Sequence, residues 1–239
     1  MHLMSEPVLW TGDGSPHSAR FNDRYRSKSG GLAQASSVFL AGCDLPAGWF
    51  GRNRFTVLET GFGLGLNFLA TWAAWEVDAL RCGRLHFVSV EAYPVAATDI
   101  VRSALTASCC SMANLEWLAR AQALAQMWHD LKPGFHDFDF VDGRVRLTVA
   151  VGEVQTMLGC LDCQADAVYL DGFSPALNPQ MWSADTLRAV ALHCRPGTTL
   201  ATYTAARSVR DGLERLGFLV QRCSGLPPKR HRLAAVFLP

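Results

Sequence analysis

The chain has 239 residues, of which 49% are hydrophobic, and its 22 basic and 21 acidic residues give a net charge of +1. This length fits one large α/β domain that buries its own core, and it leaves too little chain for two full domains. The balanced charge argues against a protein that coats DNA through bulk charge, although it is compatible with a local basic patch.

No apolar run approaches the roughly 18 residues of a membrane-spanning helix, and residues 1–7 lack a secretory pattern, so we expect a cytoplasmic protein. The eight cysteines are scattered along the chain. Only Cys160 and Cys163 form a Cys-x-x-Cys pair, and no second pair stands at zinc-binding spacing. We therefore expect packing thiols and no metal.

Residues 1–54 are irregular and rich in Gly, Ser and Arg. We interpret them as an N-terminal extension that lies over the domain, with a short hairpin around residues 37–40. From Arg54 onward, strand and helix patterns alternate. This alternation predicts βαβ units and a mostly parallel sheet in one domain over residues 55–239.

The alternating segment predicts seven strands and four main helices. The strands are expected at residues 55–59, 85–90, 145–151, 167–170, 199–203, 218–222 and 233–237. The helices are expected at residues 66–75, about 113–131, 183–194 and about 209–216, where apolar residues recur at helical spacing.

A loop of about ten residues joins the last two predicted strands, which is too short for the crossover helix that a parallel pair needs. These two strands should therefore be antiparallel. A mostly parallel seven-stranded sheet that ends in one reversed hairpin strand is typical of Rossmann-like methyltransferases, whereas dehydrogenases have an all-parallel sheet. The predicted fold is this α/β, Rossmann-like arrangement with the N-terminal extension added.

Three glycines follow the first predicted strand, in the run Glu59-Thr60-Gly61-Phe62-Gly63-Leu64-Gly65. Glycines between a strand and a helix let the backbone approach a ligand, and the helix N-terminus adds N–H donors. The dinucleotide fingerprint requires a third glycine at the position that Leu66 occupies, so that pattern fails. The spacing favours S-adenosylmethionine, which has no pyrophosphate. A tight structural turn is the alternative.

Acidic residues follow the second and third predicted strands. Glu91 ends the second strand, where a carboxylate can accept hydrogen bonds from ribose hydroxyls. Gly152 and Glu153 follow the third strand and are candidates for a position near an adenine. A solvated acid at a strand end or in an exposed loop is the alternative for each carboxylate.

The run Leu170-Asp171-Gly172-Phe173-Ser174-Pro175 leaves the fourth predicted strand, and Asn178-Pro179-Gln180-Met181-Trp182 follows it. It lies at the switch point of the sheet, where ligands of open α/β sheets bind. Asp171 is the candidate catalytic residue. The alternative is an Asp-Gly turn in which Asp171 caps its own backbone while Phe173, Pro175 and Trp182 pack the loop.

These motifs resemble the methyltransferase half of the bifunctional tRNA wobble-uridine enzyme MnmC, a family that also has free-standing single-domain relatives. The resemblance covers nearly the whole chain. It includes residues 21–25, 59–72, 85–94, 167–182, 199–210 and 225–232.

The resemblance implies methyl transfer from S-adenosylmethionine to the exocyclic amine of 5-aminomethyl-2-thiouridine in the tRNA anticodon, which gives 5-methylaminomethyl-2-thiouridine. It implies that Asp171 faces this amine, with Phe173 and Pro175 beside it. The cofactor-binding residues it implies are Tyr25, Glu59, Gly61, Gly63, Gly65, Asn67, Glu91, Gly152, Glu153 and Asp171. The flavin domain of the bifunctional enzymes has no counterpart in this sequence, so we expect no flavin and a separate enzyme that supplies the aminomethyl substrate.

Basic residues cluster in the extension and in the last loop, and we expect them to contact phosphates of the tRNA anticodon arm without reading its sequence. The candidates are Arg24, Arg26, Lys28, Lys229, Arg230 and Arg232. A solvated charged face is the alternative.

Three other functions stay open. A methyltransferase of a small-molecule or protein amine would have the same domain. A nicotinamide-dependent oxidoreductase is disfavoured by Leu66 at the third glycine position and by the terminal hairpin. A non-catalytic binding module is disfavoured by the intact loop around Asp171.

Overall fold

The computed structural model describes residues 6–27, 30–107, 113–129 and 131–238. These residues form eleven strands and seven α-helices. The strands are β1 (Val8–Trp10), β2 (Pro16–Ser18), β3 (Asp23–Arg24), β4 (Arg54–Thr60), β5 (Arg84–Glu91), β6 (Gly134–Phe140), β7 (Val145–Val151), β8 (Ala165–Leu170), β9 (Cys194–Thr202), β10 (Phe218–Ser224) and β11 (His231–Phe237). The helices are α1 (Gly31–Gln34), α2 (Leu66–Val77), α3 (Ala97–Ala107), α4 (Ala113–Met127), α5 (Val154–Cys160), α6 (Ala184–Ala191) and α7 (Arg207–Arg215).

Eight strands form the central sheet in the order β10-β11-β9-β8-β4-β5-β7-β6. The five inner strands from β9 to β7 are parallel, whereas β11 runs antiparallel to β9 and β10 antiparallel to β11. The predicted Rossmann-like fold with an antiparallel terminal hairpin is confirmed.

The sheet has one strand more than predicted, because β6 adds an antiparallel edge beside β7. Its sequence alternates, but only Phe138 and Phe140 are buried while Phe135 is 48% exposed. An edge strand packs one face and gives a weaker hydrophobic pattern than a central strand. The sequence pattern therefore does not predict β6.

The core consists of two hydrophobic layers, one on each face of the sheet. Val57 belongs to one layer and its neighbour Leu58 to the other, and Phe87 and Val88 divide in the same way. Successive strand residues point to opposite faces, so a strand covered on both faces has a continuous apolar sequence. Helices α2 and α4 cover one face and helices α5 to α7 the other.

The predicted hairpin around residues 37–40 is wrong. Helix α1 continues into a π-helix at Ala35–Leu40 and a 3-10 turn at Ala41–Cys43. Val38, Phe39 and Leu40 are all buried, and Phe39 packs against Tyr169 of β8. A short apolar run does not distinguish a strand from a buried helix, and here tertiary packing decides.

The segment before α1 folds into a small antiparallel sheet of β1, β2 and β3. Glu6 forms a bridge with Val95, just after β5, which places this segment beside the carboxyl ends of the central strands. Within the described residues, no helix is both long and apolar enough to cross a membrane.

Candidate active site

A cavity of about 400 Å³ opens where β4, β5, β7 and β8 end, which is a typical size for a small-molecule site. We call it the first cavity. The register of the strands brings these loops together, because Thr60 of β4 lies between Val90 of β5 and Leu170 of β8. The predicted residues that line it are Tyr25, Gly61, Gly63, Asn67, Glu91, Gly152, Glu153, Asp171 and Phe173.

Of the predicted catalytic and cofactor-binding residues, three lie outside this lining. Gly65 is the left-handed N-cap of α2, and a Cβ there would lie 3.0 Å from the ring of Phe62, so this glycine lets the loop pack on the helix. The Glu59 side chain is fully buried behind the lining. Pro175 lines neither this cavity nor the adjoining one described below.

The loop at residues 61–65, which we call the glycine loop, contacts the end of β5 and the loop after β8. Gly61 has φ +93°, and its N–H donates to the carbonyl of Val90 at 2.8 Å. A Cβ at Gly61 would lie 3.4 Å from the Cα of Gly172, so the loop after β4 and the loop after β8 meet closely here. Gly63 also has a positive φ, of +54°, which favours glycine.

Glu91 connects the glycine loop to the loop after β5. Its Oε2 accepts the N–H of Gly63 at 2.9 Å and its Oε1 accepts the N–H of Tyr93 at 2.8 Å. Burial raises the pKa of Glu91, and these two N–H donors oppose the increase. A carboxylate has about four acceptor positions, so Glu91 keeps acceptor capacity for a ligand in the first cavity.

Asn67 links two carboxyl groups. Its Nδ2 donates to Glu59 Oε1 at 2.8 Å and to Asp171 Oδ2 at 2.9 Å. Glu59 also accepts the hydroxyl of Ser89 at 2.7 Å, and burial raises its pKa well above the usual value. Glu59 therefore supports the site from behind, by orienting the amide that holds Asp171.

Asp171 caps its own turn, as the alternative interpretation of the sequence expects, and it also lines the first cavity. Its Oδ1 accepts the N–H of Gly172 at 2.8 Å. Burial raises the pKa of Asp171 to about 6, while hydrogen bonds from Gly172 and Asn67 and the charge of Lys229 oppose this increase. The carboxyl group is therefore a stronger base than that of an ordinary aspartate.

An aromatic cluster covers the cavity beside Asp171. The ring centroid of Phe173 lies 4.7 Å from that of Phe21 and 5.0 Å from that of Tyr25. Trp182 is only 6% exposed and donates from Nε1 to the carbonyl of Phe173 at 2.8 Å. Trp182 therefore supports the loop from the core, while Phe173 contributes to the lining.

A second cavity of about 310 Å³ adjoins the first. Both cavities share Arg24, Tyr25, Arg26, Gln34, Asp171 and Gly172 in their linings. Asp171 thus stands at the junction of the two cavities. The second cavity is completed by the last loop, including Lys229 and Arg232.

The predicted basic residues differ in which cavity they line. Arg24 and Arg26 line both cavities, and Lys229 and Arg232 line the second. Arg230 is exposed and outside both linings. Lys28 lies outside the described residues.

Sequence reasoning missed several residues of the site. Tyr203 lines the second cavity, and its hydroxyl donates to the carbonyl of Gly172 at 2.8 Å. Tyr203 follows β9 directly. Ligands of parallel sheets bind at the carboxyl ends of the strands, so the position of Tyr203 predicts it as well as that of Asp171. Asp23 accepts the N–H of Ser174 at 2.8 Å and ties the N-terminal segment to the loop after β8, and no local pattern signals that contact.

Comparison with known proteins gives the class of this chain. Residues 116–237 match the model of a family described as S-adenosyl-L-methionine-dependent methyltransferase, and the chain belongs to this family. The crystal structure of MNMC2 from Aquifex aeolicus superposes with a TM-score of 0.74 at 22% identity, over 99% of this chain and 73% of that chain. At this identity the likeness supports the fold alone.

More similar relatives are bifunctional proteins named for tRNA 5-methylaminomethyl-2-thiouridine biosynthesis, MnmC. The chain is 53% identical over 236 residues to the one from Delftia acidovorans (strain DSM 14801 / SPH-1) and 54% identical over 236 residues to the one from Acidovorax sp. (strain JS42). The resemblance to the MnmC methyltransferase domain is confirmed. These alignments cover 99% of this chain, and the chain spans 36% of the length of each relative.

Proposed function

We propose that the chain transfers a methyl group from S-adenosylmethionine to the exocyclic amine of 5-aminomethyl-2-thiouridine at the wobble position of tRNA. The product is 5-methylaminomethyl-2-thiouridine. The observation that carries this proposal is the place of Asp171, where the first cavity meets the second. The names of the similar relatives support tRNA as the class of acceptor.

The first cavity fits S-adenosylmethionine through the chemistry of its lining. Gly61 and Gly63 allow the backbone to approach a ligand closely, and Glu91 has acceptor positions for ribose hydroxyls. Arg26 also lines the first cavity, so its positive charge favours the carboxylate of the ligand. When bound, the cofactor supplies an activated methyl carbon.

Gly152 and Glu153 are proposed to border the adenine. Glu153 is the N-cap of α5, where its Oε2 accepts the N–H of Thr156 at 2.9 Å. Its Oε1 accepts a hydrogen bond from Nε2 of Gln180 at 3.0 Å. Both carboxylate oxygens therefore have protein partners, so Glu153 should shape this end of the cavity more than it binds the ligand.

The acceptor amine must lose its proton before it can react, because only the neutral amine has a free lone pair. If its pKa were that of lysine, about 10.4, this would cost about 4.6 kcal/mol at pH 7. An amine attached to uridine is less basic, so this cost is an upper bound. Desolvation by Phe173, Phe21 and Tyr25 favours the neutral amine.

Asp171 is proposed to orient the amine and to accept the proton that leaves it. Each of its oxygens already accepts one N–H, from Gly172 or Asn67, and each keeps one acceptor position. A carboxylate by itself favours the ammonium form, so the aromatic cover must oppose that preference. A pKa of about 6 leaves Asp171 mainly ionised at pH 7 and makes it a better proton acceptor than a solvated aspartate.

The basic residues are proposed to bind the anticodon arm. Arg24, Arg230 and Lys229 would contact phosphates and position the RNA without selecting its sequence. A tRNA acceptor implies that the enzyme acts in the cytoplasm.

Mass spectrometry of nucleosides tests the proposal. Transfer RNA that carries 5-aminomethyl-2-thiouridine is incubated with the protein and S-adenosylmethionine, then digested. We expect the aminomethyl nucleoside to gain one methyl group, and tRNA without the aminomethyl group to stay unchanged. An unmodified aminomethyl nucleoside after incubation with folded protein would refute the proposed acceptor.

A further inference from the structure

The second cavity has a basic lining that the chemistry at Asp171 does not explain. Four cationic side chains line it, against the two carboxylates of Asp23 and Asp171. The cationic residues are Arg24, Arg26, Lys229 and Arg232. The Lys229 ammonium lies 3.5 Å from the ring centroid of Tyr203, so this cation already has an aromatic partner.

Arg232 has no such arrangement. Its Nη1 atom is buried and has no hydrogen-bond partner among the residues that the structure describes. A Cβ at Gly42 would lie 2.9 Å from this atom, so the guanidinium packs against the 3-10 turn at Ala41–Cys43. Nη1 is therefore enclosed by protein, and the rest of the Arg232 side chain is the part that lines the second cavity.

The geometry of the guanidinium restricts the ligand. Its planar N–H donors match carbonyl, carboxylate and phosphate oxygens. Enzymes that modify a nucleobase place the extruded base in a pocket and recognise its edge with hydrogen bonds. In a 5-aminomethyluridine, the carbon that bears the aminomethyl group is adjacent to the C4 carbonyl. An amine held at Asp171 therefore brings this carbonyl into the same cavity.

We propose that the second cavity binds the acceptor pyrimidine and that Arg232 determines specificity by donating a hydrogen bond to a carbonyl oxygen of the base. The inference rests on the proposed function and adds the base-binding site to it. A base carbonyl suits Arg232 better than a phosphate does, because Arg232 is a partly buried residue in the lining of the second cavity whereas phosphates of a bound RNA stay near solvent. Exposed Arg230, on the same loop, is the better phosphate ligand.

The test compares three substitutions on an anticodon stem-loop RNA that carries 5-aminomethyl-2-thiouridine. Arg232→Gln removes the guanidinium and its N–H donors. Arg222→Gln makes the same chemical change at an exposed position of β10 outside both cavities. Arg230→Gln removes the proposed phosphate ligand. For each protein we would measure kcat/KM for the RNA at several salt concentrations and the affinity for S-adenosylmethionine by calorimetry.

We expect R232Q to lower kcat/KM about 10- to 100-fold, because a charged donor to the base is lost. Its salt dependence and its cofactor affinity should equal those of the wild type. R222Q should match the wild type. R230Q should reduce the slope of log kcat/KM against log salt by about 0.7 to 0.9, as expected for one lost phosphate contact.

A kcat/KM for R232Q equal to the wild-type value would overturn the inference, and so would a loss that comes with a shallower salt slope. If R232Q folds poorly, Arg232→Lys keeps the charge and most of the stem, and it should still lose most of the kcat/KM because it lacks the planar fork. Absence of any transfer by the wild type would instead refute the proposed function itself, together with this inference.

Discussion

The two cavities that meet at Asp171 are built in different ways. The first is lined mainly by loops that follow parallel strands, together with part of the N-terminal segment, and its carboxylate Glu91 accepts two backbone N–H groups. The second is lined by the N-terminal segment and by the loop between β10 and β11, which adds Lys229 and Arg232. The N-terminal segment thus contributes to both cavities, whereas the loop between β10 and β11 contributes only to the second, which the proposed function assigns to the acceptor.

The largest expected effect is at the junction of the cavities. Asp171→Ala should reduce methyl transfer at least about 100-fold, because the orienting group and proton acceptor are lost together. Affinity for S-adenosylmethionine, measured by calorimetry, should stay within about threefold of the wild type, since the Glu91 side of the cavity is intact. Pro175→Ala, in the same loop but outside both linings, should retain most activity. Normal turnover by D171A would remove this carboxyl group from the mechanism.

A smaller effect should separate two carboxylates of the first cavity. Glu91→Gln should raise KM for S-adenosylmethionine about tenfold, because a charged acceptor for ribose hydroxyls becomes neutral. Glu153→Gln should change this KM by about threefold or less, because both Glu153 oxygens already have protein partners. Steady-state kinetics at saturating RNA would measure both values. Equal effects of the two substitutions would contradict the assignment of Glu91.

The pH dependence should expose the ionisation of Asp171. Burial raises its pKa to about 6, so the carboxyl group becomes protonated and stops accepting a proton as the pH falls through that value. Asp171→Asn mimics the protonated form, and at pH values below the amine pKa the fraction of neutral amine changes with pH by the same factor in both proteins. The ratio of wild-type to D171N rates should therefore be constant above about pH 7 and should decrease below about pH 6. A ratio that stays constant down to about pH 5 would argue against the role of Asp171.

The smallest effect should come from the amide that links Glu59 and Asp171. Asn67→Ala removes a hydrogen bond that lowers the pKa of Asp171, so the pH transition in the rate should move upward. Because Asp171 is still present in this variant, kcat at pH 8 should fall only a few-fold, which corresponds to about 1 kcal/mol of lost hydrogen bonding. Rate profiles of wild type and N67A would show the shift. An unchanged midpoint would mean that Asn67 does not tune Asp171.

The sequence predicted the parts of the fold and site that local pattern controls. Gly61, Gly63, Glu91 and Asp171 all follow strands of a parallel sheet, and strand ends of such a sheet converge on one edge. The continuous apolar runs of the central strands identified that sheet. The first cavity could therefore be predicted from the chain order of strands and loops.

Other features depend on contacts between distant segments. The π-helix at Ala35–Leu40 was mistaken for a hairpin because its short apolar run carries no helical period, and β6 was missed because only one of its faces is buried. Asp23 and Arg232 lie in segments that share the family resemblance, but they reach the site only after the N-terminal segment and the terminal hairpin have packed beside β8 and β9. Sequence alone could not place them in a second cavity.

Separate binding of donor and acceptor can be measured directly with two variants and two substrates. The KM of E91Q should rise for S-adenosylmethionine and stay at the wild-type value for the aminomethyl stem-loop RNA. The KM of R232Q should rise for the RNA and stay at the wild-type value for S-adenosylmethionine. If each substitution instead changed both KM values by the same factor, the two cavities would act as one site, and the division of labour around Asp171 would be wrong.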